Sequence, residues 1–169
     1  GVQWHRNQTW WHLLGDYHQY LSRSSALLRQ GVAVADILYL TPEGVPHIFQ
    51  PPESALDGHP QKRNNLRDKK GYGFDGVSPR ILEMRASVED GKIAFPGGTS
   101  YSLLVLPDVE TMTPELLGVV TDLVTAGATV MGNPPRKSPS LVGYPGCDEQ
   151  VRQAAERLAR ELEGDRSRQ

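Results

Sequence analysis

Residues 101–131 read YSLLVLPDVETMTPELLGVVTDLVTAGATVM and contain two apolar runs separated by a helix candidate. The first run, Tyr101–Leu106, ends at a proline, and the second, Ala128–Met131, follows directly after a glycine. Short apolar runs bounded by turn residues are typical of strands in a parallel sheet that is covered on both faces. This stretch therefore predicts a strand, a helix and a second strand in immediate succession.

The helix between these strands has a start signal and a stop signal. Thr113 can accept a hydrogen bond from an orphan backbone N–H, and Pro114 suits the first helical position. Gly127 is placed to end the helix. Similar signals predict a last helix that Asp148 caps and Gly164 ends.

Two further elements precede this unit. Val34–Leu40 is a third apolar run and predicts another strand, while residues 9–30 carry leucine and aromatic side chains at helical spacing. Thr9 or Asn7 could cap that helix, and Gly31 could end it in a left-handed conformation. Strands that alternate with helices predict an α/β fold, a flavodoxin-like three-layer sandwich whose parallel sheet has the three runs as inner strands.

The segments between these elements are less regular. Residues 41–73 are rich in proline and charge and predict an irregular surface loop, either a tolerated insertion or a loop overhanging a neighbouring binding site. Phe74–Arg85 suits a short helix, and Asp90-Gly91 predicts a hairpin turn.

Composition excludes several classes of protein. The chain has 169 residues, 38% of them hydrophobic, and a formal net charge of −2, which offers no electrostatic footprint for nucleic acid. No apolar run approaches the roughly 20 residues of a membrane span. A single cysteine excludes an internal disulfide and a multi-cysteine zinc site, and nothing in the composition indicates a cellular compartment.

Catalytic groups do not stand out within these residues. The histidines form no HExxH or similar pair, so no metal site is predicted, and no pair of acids is marked as catalytic. Cys147 lies just before a helix, but the last histidine in the chain is His59, so no base follows it in a triad-like order.

The residues most suited to bind a ligand lie in the stretch 5–11, His-Arg-Asn-Gln-Thr-Trp-Trp. An indole can stack on a sugar ring while the imidazole and amide groups bond to its hydroxyls, so the substrate-binding candidates are His5, Asn7, Gln8 and Trp10. The alternative is that the tryptophans only pack at a helix start. Gly1 is not a methionine, and the chain is expected to be a piece of a longer protein.

The stretch 5–11 also resembles glycoside hydrolase family 106, the α-L-rhamnosidases. The resemblance continues through the blocks Tyr20-Leu21-x-Arg23, Leu27–Gly31, Val34–Tyr39, Gly71-Tyr72-x-Phe74-Asp75, Asp90–Ile93, Tyr101–Pro107 and Gly127-Ala128. It spans about residues 5–160 and is more generic in its later part, where β-galactosidases of family 42 show a similar pattern.

The resemblance implies a specific place in a larger enzyme. Residues 1–31 would form the end of an upstream (β/α)8 barrel with its long helix, 32–164 would form an amidotransferase-like sandwich, and 165–169 a frayed tail. The partners would be that missing barrel and a rhamnose-containing glycan, which the parent would cleave with inversion. The catalytic carboxylates would lie upstream, as would most ligands of a calcium ion in the parent active site.

Two alternatives and one further expectation stay open at this point. The segment could be a non-catalytic structural or oligomerisation domain of another sugar-active enzyme, such as a β-galactosidase. It could also be a stand-alone amidotransferase-like enzyme that uses Cys147. If the first helix normally packs on a barrel, Trp10, Trp11, Leu14 and Tyr17 should be unusually exposed.

Overall fold

The structure is a computed structural model that describes residues 5–44 and 73–166, with side chains described as far as residue 161. The chain forms two compact units, Gly1–Ala33 and Val34–Gln169. Most of the predicted loop at 41–73, including the stretch 57–70, lies outside the described residues, and so do positions 167–169 of the predicted tail.

The first unit consists of a short 3₁₀ turn at Trp11–Leu13 followed by helix α1, Leu14–Leu28. Neither start has a side-chain cap, so the predicted capping by Thr9 or Asn7 is wrong. Backbone hydrogen bonds of the 3₁₀ turn take the place of a side-chain cap, since the Leu13 N–H donates to the Trp10 carbonyl. At its other end α1 stops in a right-handed conformation at Arg29, so the predicted left-handed cap at Gly31 is wrong as well.

The second unit alternates strands and helices. In chain order its elements are β1 (Ile37–Leu40), β2 (Phe74–Val77), α2 (Pro79–Arg85), β3 (Ser87–Glu89), β4 (Lys92–Ala94), β5 (Ser100–Tyr101), β6 (Leu103–Val105), α3 (Pro114–Thr125), β7 (Val130–Met131) and α4 (Gly146–Arg166). Four of the strands form a parallel sheet in the order β2-β1-β6-β7, and β3, β4 and β5 form a separate antiparallel sheet. The α/β prediction with a parallel sheet is confirmed, and the layering of sheet and helices is consistent with a three-layer sandwich.

The predicted order of inner strands is partly right. Strands β1 and β6 are neighbours within the sheet, so Val34–Leu40 and Tyr101–Leu106 do contain inner strands. Strand β7 lies at the edge of the four described strands, so the inner position predicted for Ala128–Met131 is wrong there. Only Val130 and Met131 of this run form a strand. Two residues are too few for the sequence to show which strand they pair with.

The two faces of the parallel sheet differ. Leu38, Leu104 and Val130 are in register on adjacent strands, and all three belong to the main hydrophobic core with α2, α3 and α4. On the opposite face Ile37 and Leu103 are also in register but only half-buried, although Val105 two residues on is buried. Period-two alternation therefore assigns the described core to one face of the sheet.

Helix α3 forms as predicted. The Thr113 hydroxyl accepts a bond from the Leu116 N–H at 3.3 Å, and Pro114 occupies the first helical position. Gly127 follows the helix with a φ of 102°, the left-handed conformation expected of a helix-stopping glycine. Four apolar residues of α3 are buried, namely Leu116, Leu117, Val120 and Leu123, and the helix packs along α4.

Three predicted boundaries are wrong. Phe74–Arg85 is not one helix: its first four residues form β2, and the helix starts after Ser78, whose extended backbone is typical of a residue before proline. Tyr101–Leu106 is likewise divided, because Tyr101 belongs to β5 in the antiparallel sheet. Helix α4 starts at Gly146, before Asp148, and passes Gly164 to end at Arg166.

The hairpin prediction is confirmed. Asp90 and Gly91 join β3 to β4, and both have positive φ values, 52° and 74°. A two-residue turn of this kind matches the twist of the flanking strands. Within the described residues, no helix is long and apolar enough to cross a bilayer.

Candidate functional site

The four substrate-binding candidates lie in one continuous turn at the start of the first unit. The Gln8 N–H donates to the His5 carbonyl at 3.0 Å, and the Trp11 N–H donates to the Gln8 carbonyl at 3.1 Å. The Leu13 N–H then donates to the Trp10 carbonyl at 3.0 Å. Successive backbone bonds of this type hold His5, Asn7, Gln8 and Trp10 within a short arc of chain.

The imidazole of His5 accepts a hydrogen bond from a neighbouring residue. The Asn7 backbone N–H donates to His5 Nδ1 at 3.2 Å. Because Nδ1 accepts this bond, the neutral imidazole carries its proton on Nε2 and can donate from there. The turn thus offers one imidazole donor beside two side-chain amides that can donate and accept.

The indoles supply an apolar surface next to these polar groups. Trp10 is 37% exposed and Trp11 is 42% exposed. His5 and Asn7 are exposed, and Gln8 is half-buried. An accessible indole beside imidazole and amide groups can bind the apolar face of a sugar ring and its hydroxyls. The backbone bonds place the candidates on one short turn, and their contact with a sugar stays a prediction.

The expectation of unusual exposure at the first helix holds for three of its four residues. Trp10, Trp11 and Tyr17 are 37–45% exposed, but Leu14 is 7% exposed and therefore buried. The prediction for Leu14 is wrong, since Leu14 is the buried residue of α1.

A second polar cluster lies at the carboxyl end of β1, and sequence reasoning missed it. Glu43 Oε1 accepts from the Thr113 hydroxyl at 2.7 Å, and Oε2 accepts from the Thr113 N–H at 2.6 Å. A carboxylate at a helix N-terminus is stabilised by the helix dipole and by the orphan N–H groups there. The two residues are 70 positions apart, so no local pattern relates them.

A third polar contact links the two sheets. The Tyr101 hydroxyl donates to Asp75 Oδ2 at 2.9 Å. Burial and the hydrogen bond with Asp75 raise the pKa of the Tyr101 hydroxyl, and a contact with Thr99 opposes the shift. Glu43 and Asp75 are thus each engaged by a neighbouring side chain, as structural carboxylates are.

Cys147 has the surroundings of an inert thiol. It is 2% exposed at the start of α4, and Sγ lies 3.7 Å from the Ser140 carbonyl oxygen. The described residues of the second unit include no histidine that could serve as its base. This environment does not favour the amidotransferase alternative.

The described residues do not form a metal-binding cluster. Within residues 5–44 and 73–166, no three or more His, Cys, Asp or Glu side chains are grouped so that they could hold an ion. Calcium takes six to eight oxygen ligands, and a calcium ion in the parent stays a prediction.

Comparisons with known proteins point to one class of enzyme. The family model of glycoside hydrolase family 106, described as alpha-L-rhamnosidase, matches residues 1–168. A protein of Formosa agariphila named "Putative beta-glucuronidase" is 35% identical over 159 residues, which cover 94% of this chain. The solved structure of a rhamnosidase from Novosphingobium sp. PP1Y is 25% identical with a TM-score of 0.62 over 95% of this chain. The chain spans only 12% and 14% of the length of these two relatives.

Proposed function

Because the chain belongs to glycoside hydrolase family 106, the α-L-rhamnosidases, we propose that it is a segment of an enzyme that removes rhamnose from glycans. The observation that carries this proposal is the family match, which includes both units from residue 1 to residue 168. The similarity to a solved rhamnosidase over 95% of the chain supports it.

In this proposal, the segment contributes to sugar binding through the turn at its start. Trp10 stacks on a face of the sugar ring, and His5, Asn7 and Gln8 bond to its hydroxyls. The support is local: backbone bonds place all four in one short arc, and the Asn7 N–H leaves His5 Nε2 as a donor. A backbone held by such bonds loses little further conformational freedom when a sugar binds.

The catalytic carboxyl groups belong to the rest of the parent enzyme. In an inverting reaction, an acid protonates the glycosidic oxygen as its bond to C1 breaks. A second carboxylate removes a proton from water, whose oxygen attacks C1 from the opposite face. Glu43 and Asp75 fit neither role well, since each carboxylate already accepts bonds from a neighbouring residue. The chain alone is therefore expected to be inactive.

A calcium ion in the parent active site would be held by residues outside those described. Among the described residues, no group of three or more His, Cys, Asp or Glu side chains could bind such an ion.

The second unit is proposed to be a flavodoxin-like, amidotransferase-like sandwich. Numbered in chain order, the four parallel strands β1, β2, β6 and β7 are the first to the fourth. Across the sheet they lie in the order second, first, third, fourth. This is the order in which flavodoxin-like sheets begin. The N-terminus of a helix is a common binding site for anionic ligands in such folds. At α3 this position is occupied by the carboxylate of Glu43. This occupation supports a structural role for the second unit.

A second candidate substrate is a β-glucuronide. The relative from Formosa agariphila carries the name of a β-glucuronidase and is 35% identical over 94% of this chain. A uronic acid bears a carboxylate where rhamnose bears a methyl group, and exposed Arg6 lies within the candidate turn. In this reading, the segment would be a non-catalytic part of a different sugar-active enzyme, as in the β-galactosidase alternative.

The test is to assay the full-length parent on two chromogenic substrates, an aryl α-L-rhamnoside and an aryl β-D-glucuronide. We expect release of the aglycone from the rhamnoside and none above background from the glucuronide. The purified 169-residue chain should release it from neither. Turnover of the glucuronide alone would support the second candidate, and turnover of the rhamnoside by the 169-residue chain would overturn its assignment as a non-catalytic segment.

A further inference from the structure

Strand β7 is the outermost of the described strands on its side of the parallel sheet. The Leu104 N–H donates to the Thr129 carbonyl at 3.0 Å, and the Leu106 N–H donates to the Met131 carbonyl at 2.8 Å. The backbone groups of successive strand residues face alternate sides. The N–H and the carbonyl of Val130, between Thr129 and Met131, therefore point away from β6, toward what is called the outer side of β7 below.

The outer side of β7 lies next to buried apolar residues. Val130 is 8% exposed and belongs to the main hydrophobic core. Almost all buried backbone N–H and carbonyl groups in proteins are hydrogen-bonded, and the edge of a sheet is a template on which another strand can pair. The outer side of β7 is therefore suited to pair with a further strand.

The helices indicate in which direction the sheet continues. Helix α3 connects β6 to β7 and packs on the face of the sheet that carries the main core. Helix α2 packs on the same face, within the connection from β2 to β6, which crosses the sheet in the same direction. Parallel crossovers are right-handed in about 98% of cases. A crossover helix on this face therefore leads from the β2 side of the sheet toward the β7 side.

Helix α4 has the position of the next crossover helix. It follows β7, packs beside α3, and contributes Val151, Ala155 and Leu158 to the same core. With the same handedness, a parallel strand that follows α4 lies beyond β7 and not back toward β6.

The direction of α4 agrees with this position. The Met112 N–H, just before α3, donates to the Lys137 carbonyl at 3.1 Å, and the Ser138 N–H donates to Asp148 Oδ1 at 2.8 Å. Both helices therefore start at the edge of the sheet where its strands have their carboxyl ends. With 21 residues at about 1.5 Å each, α4 is longer than a typical strand of about 17–20 Å. A segment that follows α4 is thus placed at the amino ends of the strands, where a parallel strand begins.

We propose that the outer side of β7 pairs with a further parallel strand from the segment that follows α4 in the parent polypeptide. The inference rests on the proposed function only in taking the chain as a segment of a longer enzyme. A connection of about two to six residues and a strand of about five or six place the new strand within about 15 residues after α4. Because it would lie beside buried Val130, we expect the strand to be rich in apolar residues.

A second copy of the chain explains these observations less well. A twofold axis that relates two β7 edges would make their strands antiparallel. The position of α4 beside α3 would then be unrelated to the pairing.

The first measurement is amide hydrogen exchange at single-residue resolution in the 169-residue chain and in the full-length parent. The Val130 N–H faces the proposed strand, while the backbone groups of Met131 face β6 and provide the matched control. We expect the Val130 amide to exchange at least about tenfold more slowly in the parent than in the 169-residue chain, since exchange would require local opening. The Met131 amide should be protected in both proteins.

Two results of this measurement would overturn the proposal. One is equal exchange of the Val130 amide in the two proteins. The other is slow exchange already in the 169-residue chain, with dependence on concentration indicating a second copy and independence indicating cover by the chain's own residues.

The second measurement identifies the occupant. The photoreactive residue p-benzoylphenylalanine replaces Met131 in the parent and, as the control, replaces Met84, an exposed methionine on α2. Side chains on one face of neighbouring strands lie about 5 Å apart. Irradiation should therefore link position 131, but not position 84, to a peptide within about 15 residues after α4. Linkage of position 131 only to other peptides, or no linkage, would contradict the proposed occupant.

Neither measurement depends on catalysis. A parent that hydrolyses no rhamnoside but gives both expected results would contradict the proposed function and support the further strand. A rhamnosidase whose Val130 amide exchanges as fast as in the 169-residue chain would do the reverse.

Discussion

The hydroxyl of Tyr101 donates a 2.9 Å hydrogen bond to Asp75 Oδ2. Tyr101 belongs to the antiparallel sheet and Asp75 to β2, the outermost of the described strands on one side of the parallel sheet. The bond therefore joins the two sheets at a point where their backbones are not paired. Tyr101 is also packed edge-on against Phe95, with ring centroids 5.9 Å apart.

Removing this hydroxyl should weaken the second unit. Tyr101→Phe keeps the buried ring but loses the bond to Asp75, and it is expected to lower the free energy of unfolding by about 0.5–1.5 kcal/mol. Urea denaturation of the 169-residue chain measures the change. Tyr144→Phe is the control, because Tyr144 is largely exposed and should change stability little.

The same hydroxyl predicts a dependence on pH. Burial, the hydrogen bond with Asp75 and the charge of Asp75 raise the pKa of Tyr101 above its ordinary value of 10.0. The unfolded chain therefore releases this proton first, and the stabilising effect, complete below about pH 10, is lost as pH rises through the folded-state pKa. Wild type should lose stability more steeply than Tyr101→Phe above about pH 10 in thermal melts. Parallel curves for the two proteins would contradict this account.

Glu43 is expected to stabilise the start of α3. Its carboxylate accepts from both the N–H and the hydroxyl of Thr113, so Glu43→Gln removes the charge and one acceptor oxygen. The loss should be about 0.5–2 kcal/mol in chemical denaturation, the range found for helix caps. Glu83→Gln, at an exposed position of α2, should stay within about 0.5 kcal/mol of wild type. Equal effects of the two substitutions would remove the capping role.

Two glycines should respond to alanine in opposite directions. A Cβ at Gly132 would lie 2.6 Å from the Leu106 Cβ, on a backbone with a φ of 147°, so Gly132→Ala should cost about 1–3 kcal/mol. A Cβ at Gly118, inside α3, meets nothing within 4 Å, and Gly118→Ala should raise stability by about 0.5–1 kcal/mol. Thermal denaturation of both variants checks the pair, and a stabilised Gly132→Ala would contradict the close approach to Leu106.

The parts of the fold that could be predicted from sequence were those with local chemical signals. Thr113-Pro114 and Gly127 define α3 because capping and termination depend on neighbouring residues. Strand β2 was missed because Phe74-Asp75-Gly76-Val77 has few strand-forming residues and is held by its pairing with β1. In that pairing Ile37 lies opposite Phe74, so the paired residues are more than thirty positions apart in the sequence.

The candidate site divides in the same way. The turn from His5 to Trp10 is local, so its residues could be selected from sequence, and the structure shows them joined by backbone bonds. The bonds from Thr113 to Glu43 and from Tyr101 to Asp75 depend on the tertiary arrangement of the sheet and could not be seen in any short stretch.

Steady-state kinetics of the full-length parent on an aryl α-L-rhamnoside would establish whether this segment serves a rhamnosidase through Trp10. Wild type should hydrolyse the substrate. Trp10→Ala should lower kcat/KM by about tenfold or more, equivalent to about 1.4 kcal/mol of lost binding in the transition state. Trp11→Ala, which removes an adjacent indole of similar exposure, should stay within about threefold of wild type. A parent that releases no aglycone, or equal activity of Trp10→Ala and Trp11→Ala, would contradict the assignment.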